Sequence, residues 1–322
     1  MNPGPSRLGP VLLDDGAHAA FPHVVALGDG TLLAAWRRAS SHMQPDGAVW
    51  AARSDAAGTW SEPAPLLSGP NDARDPCLSV LADGRLAVSW FDFDGVRSTG
   101  VRVSFSSDGG STFTHVPLPQ VWGRWTAVSA PVVERAGELL LPVYGRTGRA
   151  RTSVALLASI DAGATWALRA HLLTGRAVRD PLSEPWLVAG DAEELVCLVR
   201  SVSGRVRRLV SRDAGRTWGP PQPVFTSSSR ATWTSFGGGR ALAVHRSVID
   251  SATVLRTTTD GWATWSGERV LDAAGLGTYA GVALRGQDAL CVVLGSESTD
   301  RSSGRVSAQE LPVPAELRPG PS

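Results

Sequence analysis

Three stretches of the chain have one shape: SFSSDGGSTF (residues 104–113), ASIDAGATW (158–166) and VSRDAGRTW (210–218). Each reads Ser-x-Asp-x-Gly-x-Thr-aromatic, carried by Ser106, Asp108, Gly110, Thr112 and Phe113, by Ser159, Asp161, Gly163, Thr165 and Trp166, and by Ser211, Asp213, Gly215, Thr217 and Trp218. The chemistry is that of a hairpin turn. An Asp carboxylate accepts from backbone N–H groups about two residues on, Gly takes a positive φ without steric cost, and the ring packs back on the sheet. Two altered copies keep the Asp-to-Trp spacing: Asp55, Thr59 and Trp60, with Gly58 displaced, and Asp260, Thr264 and Trp265, with Trp262 where Gly stands elsewhere. The aspartates fall at 55, 108, 161, 213 and 260, a period of about 50 residues that signals a propeller or similar array.

A second pattern counts the repeats. DGTLLAAWR from Asp29, DGRLAVSWF from Asp83, AGELLLPVY from Ala136, AEELVCLVR from Ala192, GGRALAVHR from Gly238 and GQDALCVVL from Gly286 are six copies of a turn followed by an apolar strand. With a shorter strand before each copy, a strand running into the Asp turn and a Pro-containing strand after it, the expectation is an all-β protein. It is a six-bladed β-propeller of four-stranded antiparallel blades filling one domain, residues 1–322. The sixth blade lacks an Asp turn and has little chain left for an outer strand after residues 305–311. Residues 10–14 (PVLLD) are expected to supply that strand and close the ring.

Composition bounds the partners. The chain carries 31 Lys and Arg against 30 Asp and Glu, a formal charge of +1 with both signs scattered, so neither a nucleic-acid footprint nor a membrane-binding basic run is expected. Cys77, Cys197 and Cys291 lie in apolar strand patterns and read as buried thiols. The N-terminal MNPGPSRLGP has no apolar core of a signal peptide, so the expected compartment is the cytoplasm. The turn aspartates stand a whole blade apart, so no metal and no cofactor is expected.

In an up-and-down blade the start of the first strand and the end of the second share one face, and the Asp turn lies at the other. In register, the first-strand starts are Phe21-Pro22, Asp75-Pro76, Ala130-Pro131, Glu184-Pro185, an unclear fifth near Trp233, and Tyr279-Ala280. The second-strand ends are Arg37, Phe91, Tyr144, Arg200, Arg246 and Leu294. Arg37, Asp75, Glu184, Arg200, Arg246 and Tyr279 are therefore expected in one axial cleft. Its excess of arginine suits an anionic sugar or another carboxylated ligand. Trp36, Trp186 and Trp233 are expected beside it as stacking surfaces.

Together the Asp turns, the six-fold period and this residue ring resemble the sialidase (neuraminidase) superfamily over essentially the whole chain. Glu184 and Arg200 stand sixteen residues apart ahead of an Asp box, as sialidases place their glutamate and a carboxylate-binding arginine. The resemblance implies that Arg246 is a second such arginine, Tyr279 the nucleophile activated by Glu184, Asp75 a sugar-contacting aspartate and Arg37 an arginine near the sugar ring. It also implies net retention, since a phenol avoids the repulsion that a carboxylate nucleophile would meet at a carboxylate-bearing anomeric carbon. One departure stands out: sialidases open the first blade with Arg-Ile-Pro, and this chain has Ala20-Phe21-Pro22. The acid/base aspartate belongs to the loop after Arg37, where RASSHMQPDGAVW offers Asp46 as the candidate and His42 as a substrate contact. Two alternatives stand beside the sialidase reading: a glycosidase of this fold acting on another sugar, such as an exo-arabinanase, which the missing arginine favours, and a glycan-binding propeller without catalysis.

Overall fold

A computed structural model of the chain describes residues 9–190, 193–273 and 275–318. Ala192, which opens the fourth turn-and-strand copy, and most of MNPGPSRLGP lie outside these residues. The described residues form a six-bladed propeller with one helical element, a single 3-10 turn at Ala315–Leu317. Among them no helix is long and apolar enough to cross a membrane.

Blade 1 runs His18–Ala26, Leu32–Ala39, Ala48–Ser54 and Ala64–Leu67 from the axis outward, and blade 2 runs Asp72–Val80, Leu86–Phe93, Ser98–Ser106 and Thr114–Pro117. In blade 3 the first strand is split into Trp125–Val128 and Val133–Arg135, both paired with Glu138–Arg146, followed by Ser153–Ser159 and Ala167–Leu173. Ala130 and Pro131 fall in the split. Blade 4 is Leu182–Ala189, Leu195–Ser201, Arg205–Ser211 and Gln222–Thr226, and blade 5 is Thr232–Ser235, Ala241–Arg246, Thr253–Thr258 and Arg269–Asp272. Blade 6 takes Leu276–Arg285, Ala289–Glu297 and Gly304–Pro312 from the C-terminal part. Its outer strand comes from Val11–Leu13, with Val11 opposite Ser307 and Leu13 opposite Val306. First and last strands thus share a sheet, and the ring closes without an open edge.

Each pair of neighbouring blades buries its own apolar seam. Trp36 and Val24 of blade 1 pack with Val293 and Val306 of blade 6. Leu33 and Val49 pack with Leu78 and Trp90 of blade 2, Phe105 and Val103 with Leu139 and Leu157 of blade 3, and Leu156 with Leu187 and Leu209 of blade 4. Cys197 and Cys291 are buried free thiols in these seams, and Cys77 is a buried free thiol that packs with Ala130 and Trp186. Alternation along each strand therefore serves two neighbours, one per face.

The Asp turns close against these seams. Asp161 Oδ1 accepts from Thr165 N–H (2.9 Å) and the Ser159 hydroxyl (2.8 Å), and its Oδ2 accepts from the Thr165 hydroxyl (2.6 Å). Ser159 Oγ accepts from Gly163 N–H (2.9 Å), and Trp166 Nε1 donates to the Gly163 carbonyl (3.1 Å). The carboxylate thus reaches four residues on rather than two. In the altered fifth copy Trp262 adopts the left-handed φ of 69° that Gly takes elsewhere, and its buried ring packs edge-on to Trp233 at 4.3 Å. A feature not visible in the motif joins each turn to the preceding blade. An arginine donates to a turn carbonyl: Arg53 to Gly109, Arg85 to Ala162 (2.9 Å), Arg169 to Ala214 (3.0 Å), Arg208 to Gly261 (2.6 Å) and Arg285 to Asp55 (2.8 Å).

Register places the turns at the far end from the cleft. Ser106, Ser159 and Ser211, which open them, pair with Leu86, Leu139 and Leu195 at the beginnings of the second strands. Asp161→Ala is accordingly expected to lower the melting temperature and leave kcat per folded molecule unaltered; a selective loss of kcat in a fully folded variant would contradict this. Hydrogen bonds from Thr hydroxyls and N–H groups hold the carboxyls of Asp161, Asp213 and Asp260 at about 2, below the ordinary 3.8. Their contribution to stability is complete above the unfolded value and lost as pH falls through the folded one. Melting temperature should therefore drop between about pH 4 and 2, with a shallower drop in Asp161→Ala.

Candidate active site

The residues that reach the axis do so through β-bulges. Pairing skips between Ala20 and His23, between Arg74 and Cys77, between Ser183 and Trp186, and between Gly277 and Ala280, so two residues face one in the first strands of blades 1, 2, 4 and 6. A bulge re-aims a side chain out of the strand alternation. Three of these residues, Phe21, Asp75 and Glu184, have φ of 58°, 52° and 52° and each precedes proline. The left-handed region is costly for non-glycine residues, and such strain concentrates at functional sites. Tyr279 is the second residue of its bulge, one place beyond Asp75 and Glu184 in register.

These residues meet in an axial cavity of about 380 Å³. Tyr279 Oη donates to Glu184 Oε1 at 2.7 Å. Arg200 forks onto the same carboxylate, Nε to Oε2 at 2.7 Å and Nη2 to Oε1 at 2.8 Å. Burial alone would raise the Glu184 carboxyl, but the Arg200 guanidinium and the Tyr279 hydroxyl outweigh it and hold it below its usual range. Burial, then the charges of Glu184 and Asp75, pushes the Tyr279 phenol well above its usual value. The resting pair is therefore a neutral phenol donating to a carboxylate. Below the ring, the buried Arg230 guanidinium lies 4.3 Å from the Tyr279 centroid and 4.8 Å from that of Trp186, and its Nη1 donates to Ser129 Oγ at 3.1 Å. The Phe21 ring packs against Tyr279 with centroids 5.0 Å apart.

Arg246 also lines the cavity, fixed by Ser228 Oγ (2.8 Å), the Ser228 carbonyl (2.6 Å) and the Gly277 carbonyl (3.1 Å), with no carboxylate on it among the described residues. Asp75 is in the wall, its carboxyl raised to about 6 by burial and by Glu184 against the pull of Arg74 and Arg230. Arg74, Glu297 and Arg301 complete the charged lining. Sequence reading missed them. Arg74 directly precedes Asp75, Glu297 lies three residues beyond the expected strand end Leu294, and Arg230 opens the blade whose start was unclear.

The structure separates three other expectations from the cleft. Arg37 is fully buried and forks onto Asp72, Nε to Oδ1 at 2.6 Å and Nη2 to Oδ2 at 2.8 Å, with the Gln44 carbonyl at 2.7 Å. Its guanidinium is thus spent on fixing the 40–47 loop and not on a sugar. Asp46 is exposed outside the cavity lining, where its Oδ1 accepts the Ser40 N–H at 3.1 Å. Trp36, Trp186 and Trp233 are core side chains: Trp36 lies in the seam of blades 1 and 6, while the Trp186 and Trp233 indoles each donate to the other's carbonyl (3.1 and 3.3 Å). From the 40–47 loop it is His42 that faces the cavity.

His42 belongs to a chain of polar contacts. Its Nδ1 lies 2.8 Å from Glu297 Oε1, which is also 2.9 Å from His18 Nε2, and His18 Nδ1 is 3.2 Å from Arg37 Nη1. His18, His42 and Glu297 are close enough together to pose as metal ligands. The donor set does not fit one. A guanidinium only donates, so His18 Nδ1 accepts, its proton sits on Nε2, and that is the nitrogen a cation would need. Both imidazoles instead donate to Glu297. Burial alone would raise the Glu297 carboxyl, but these two donors hold it at about 2.

An arginine-rich cleft on the axis of six blades, five of them stapled by Asp turns, defines the class as a sialidase-fold propeller. The chain belongs to the BNR repeat-like domain family, which matches residues 30–279. No curated protein matches the sequence. Among solved structures, a Dyadobacter fermentans protein of unknown function is similar with a TM-score of 0.81 at 19% identity, covering 96% of this chain and 99% of that one. A Hadza microbial sialidase is similar with a TM-score of 0.76 at 16% identity over 92% of this chain and 66% of its own. Penicillium chrysogenum alpha-L-arabinanase, solved with arabinobiose, gives 0.73 at 17% identity over 95% and 98%.

Proposed function

We propose that the protein is an exo-acting glycoside hydrolase that releases a terminal acidic sugar, a sialic acid or related ulosonic acid, with retention of configuration. The observation that carries this reading is the 2.7 Å hydrogen bond from Tyr279 to an ionised Glu184 held by Arg200. A phenol above its usual pKa is a poor nucleophile until a base takes its proton, and Glu184 is in contact to do so as Tyr279 Oη attacks. The lining supports an anionic ligand. Among the described residues no carboxylate pairs with Arg246, and Arg74, within 3.4 Å of Asp72, lies beside Asp75, whose carboxyl burial raises to about 6.

A neutral sugar is the second reading. Ala20 stands where sialidases have their first arginine, and the Arg200 fork expected on a substrate carboxylate is already on Glu184. A panel of chromogenic glycosides, including N-acetylneuraminic acid, other ulosonic acids and α-L-arabinofuranoside, decides between them. Fastest cleavage of a ulosonic acid supports the first reading; fastest cleavage of the arabinoside replaces it with the second; no cleavage with measurable binding leaves a glycan-binding propeller. On an acidic substrate, Arg246→Lys keeps the charge but loses the fork, and KM should rise about tenfold or more. An unchanged KM would remove Arg246 from carboxylate binding.

A further inference from the structure

We propose that His42, oriented by Glu297, is the general acid and base of the cleft, in the place that the sialidase resemblance gives to an aspartate of the same loop. This rests on the reading of Tyr279 and Glu184 as the nucleophile pair. The aspartate of that loop, Asp46, is turned to solvent, so the cleft lacks the expected proton donor.

The polar chain fixes which nitrogen of His42 is available. Asp72 holds Arg37, Arg37 donates to His18 Nδ1, His18 Nε2–H donates to Glu297, and His42 Nδ1–H donates to the same Glu297 oxygen. Nε2 is left as the nitrogen that gains and loses a proton, and no hydrogen bond among the described residues engages it. An imidazole backed by a carboxylate on Nδ1 is the acid/base arrangement that many hydrolases use. His42 is carried on the loop between the second and third strands of blade 1, its N–H bonded to the Arg301 carbonyl (3.2 Å), and its side chain is 18% exposed. Asp75, the other titratable group with a fitting environment, is 4% exposed, beside Arg74 and in the electrostatic reach of Glu184. A nucleophile attacking from the floor sends the leaving group toward the mouth, where His42 is the more accessible of the two.

The steps balance. Tyr279 Oη attacks the anomeric carbon and passes its proton to Glu184, while the bond to the leaving oxygen breaks and that oxygen takes the Nε2 proton of the His42 imidazolium. Neutral His42 then takes a proton from water as the water oxygen attacks the same carbon; the bond to Tyr279 breaks, and the phenol recovers its proton from Glu184.

Four charged or titratable groups face His42: Glu297, His18, Arg74 and Arg301. Burial lowers its pKa from the ordinary 6.5, against the opposing pull of Glu297. As the acid it must carry the proton, so kcat/KM falls as pH rises through that lowered value.

The test uses the full chain and the sugar it cleaves fastest in the panel, as its 4-methylumbelliferyl and its methyl glycoside. In His42→Gln, kcat/KM for the methyl glycoside should fall about 10²- to 10⁴-fold, since that leaving group needs protonation, while the aryl glycoside loses less than about tenfold. The high-pH limb should vanish. Glu297→Gln keeps the contact but removes the charge, so the limb should move to lower pH. Equal losses on both glycosides, a limb unmoved by Glu297→Gln, or the leaving-group-selective loss appearing in Asp75→Asn or Asp46→Asn instead would overturn the assignment. A parent protein inactive on every glycoside would defeat the hydrolase reading itself, whereas activity lost in Tyr279→Phe but untouched in His42→Gln would overturn only this inference.

Discussion

Tyr279→Phe should lower kcat by about 10³-fold or more while ligand affinity and cooperative unfolding persist. The substitution removes one oxygen. The ring remains, with Arg230 below it at 4.3 Å and Phe21 beside it at 5.0 Å, so packing at the axis is retained. What disappears is the group that donates to Glu184 at 2.7 Å, and with it any covalent path through the phenol. If that hydrogen bond were only structural, the variant would lose about 1–3 kcal/mol of stability and keep its turnover. Measuring kcat and the unfolding free energy on the same preparation separates the two outcomes.

The largest stability effect is expected at Asp72. Asp72 and Arg37 are fully buried and joined by two short hydrogen bonds, and Arg37 also holds His18 and the carbonyls of Ser41 and Gln44. Breaking a buried pair from one side leaves an uncompensated charge in the interior, at a cost of about 3–5 kcal/mol. Asp72→Asn should therefore destabilise the protein by roughly that amount, and more than Asp161→Ala, whose carboxylate faces solvent. Because Arg37 fixes the loop that carries His42, turnover per folded molecule should drop as well. Denaturant unfolding with a loss under about 1 kcal/mol would contradict the account of this pair.

The blade count was legible because it is written in local chemistry: a turn followed by an apolar strand, repeated six times along the chain, with an Asp turn in five of the repeats. Asp75 and Glu184 were legible for the same reason, since a residue before proline at a strand start marks the bulge that turns inward. Tyr279 came one place out of register, because no proline marks its bulge. Arg37 was misplaced because its destination depends on Asp72, in the next blade. Glu297 and His18 meet across 279 residues of chain through ring closure, and no local pattern records that pairing. The choice of His42 over Asp46 depends on the path of an irregular loop, which periodicity does not encode. Trp36 was misread because strand alternation turns the neighbour of Arg37 into a blade seam, and Trp186 and Trp233 because they bond to each other's carbonyls across blades 4 and 5.

The covalent role of Tyr279 is tested most directly by trapping. The parent protein is incubated with a 2,3-difluoro derivative of the ulosonic acid it cleaves, then digested and mapped by mass spectrometry. The account predicts one added glycosyl group per chain, on the peptide that contains Tyr279. An adduct on Glu184, or slow turnover of the probe with no adduct on any residue, would contradict it.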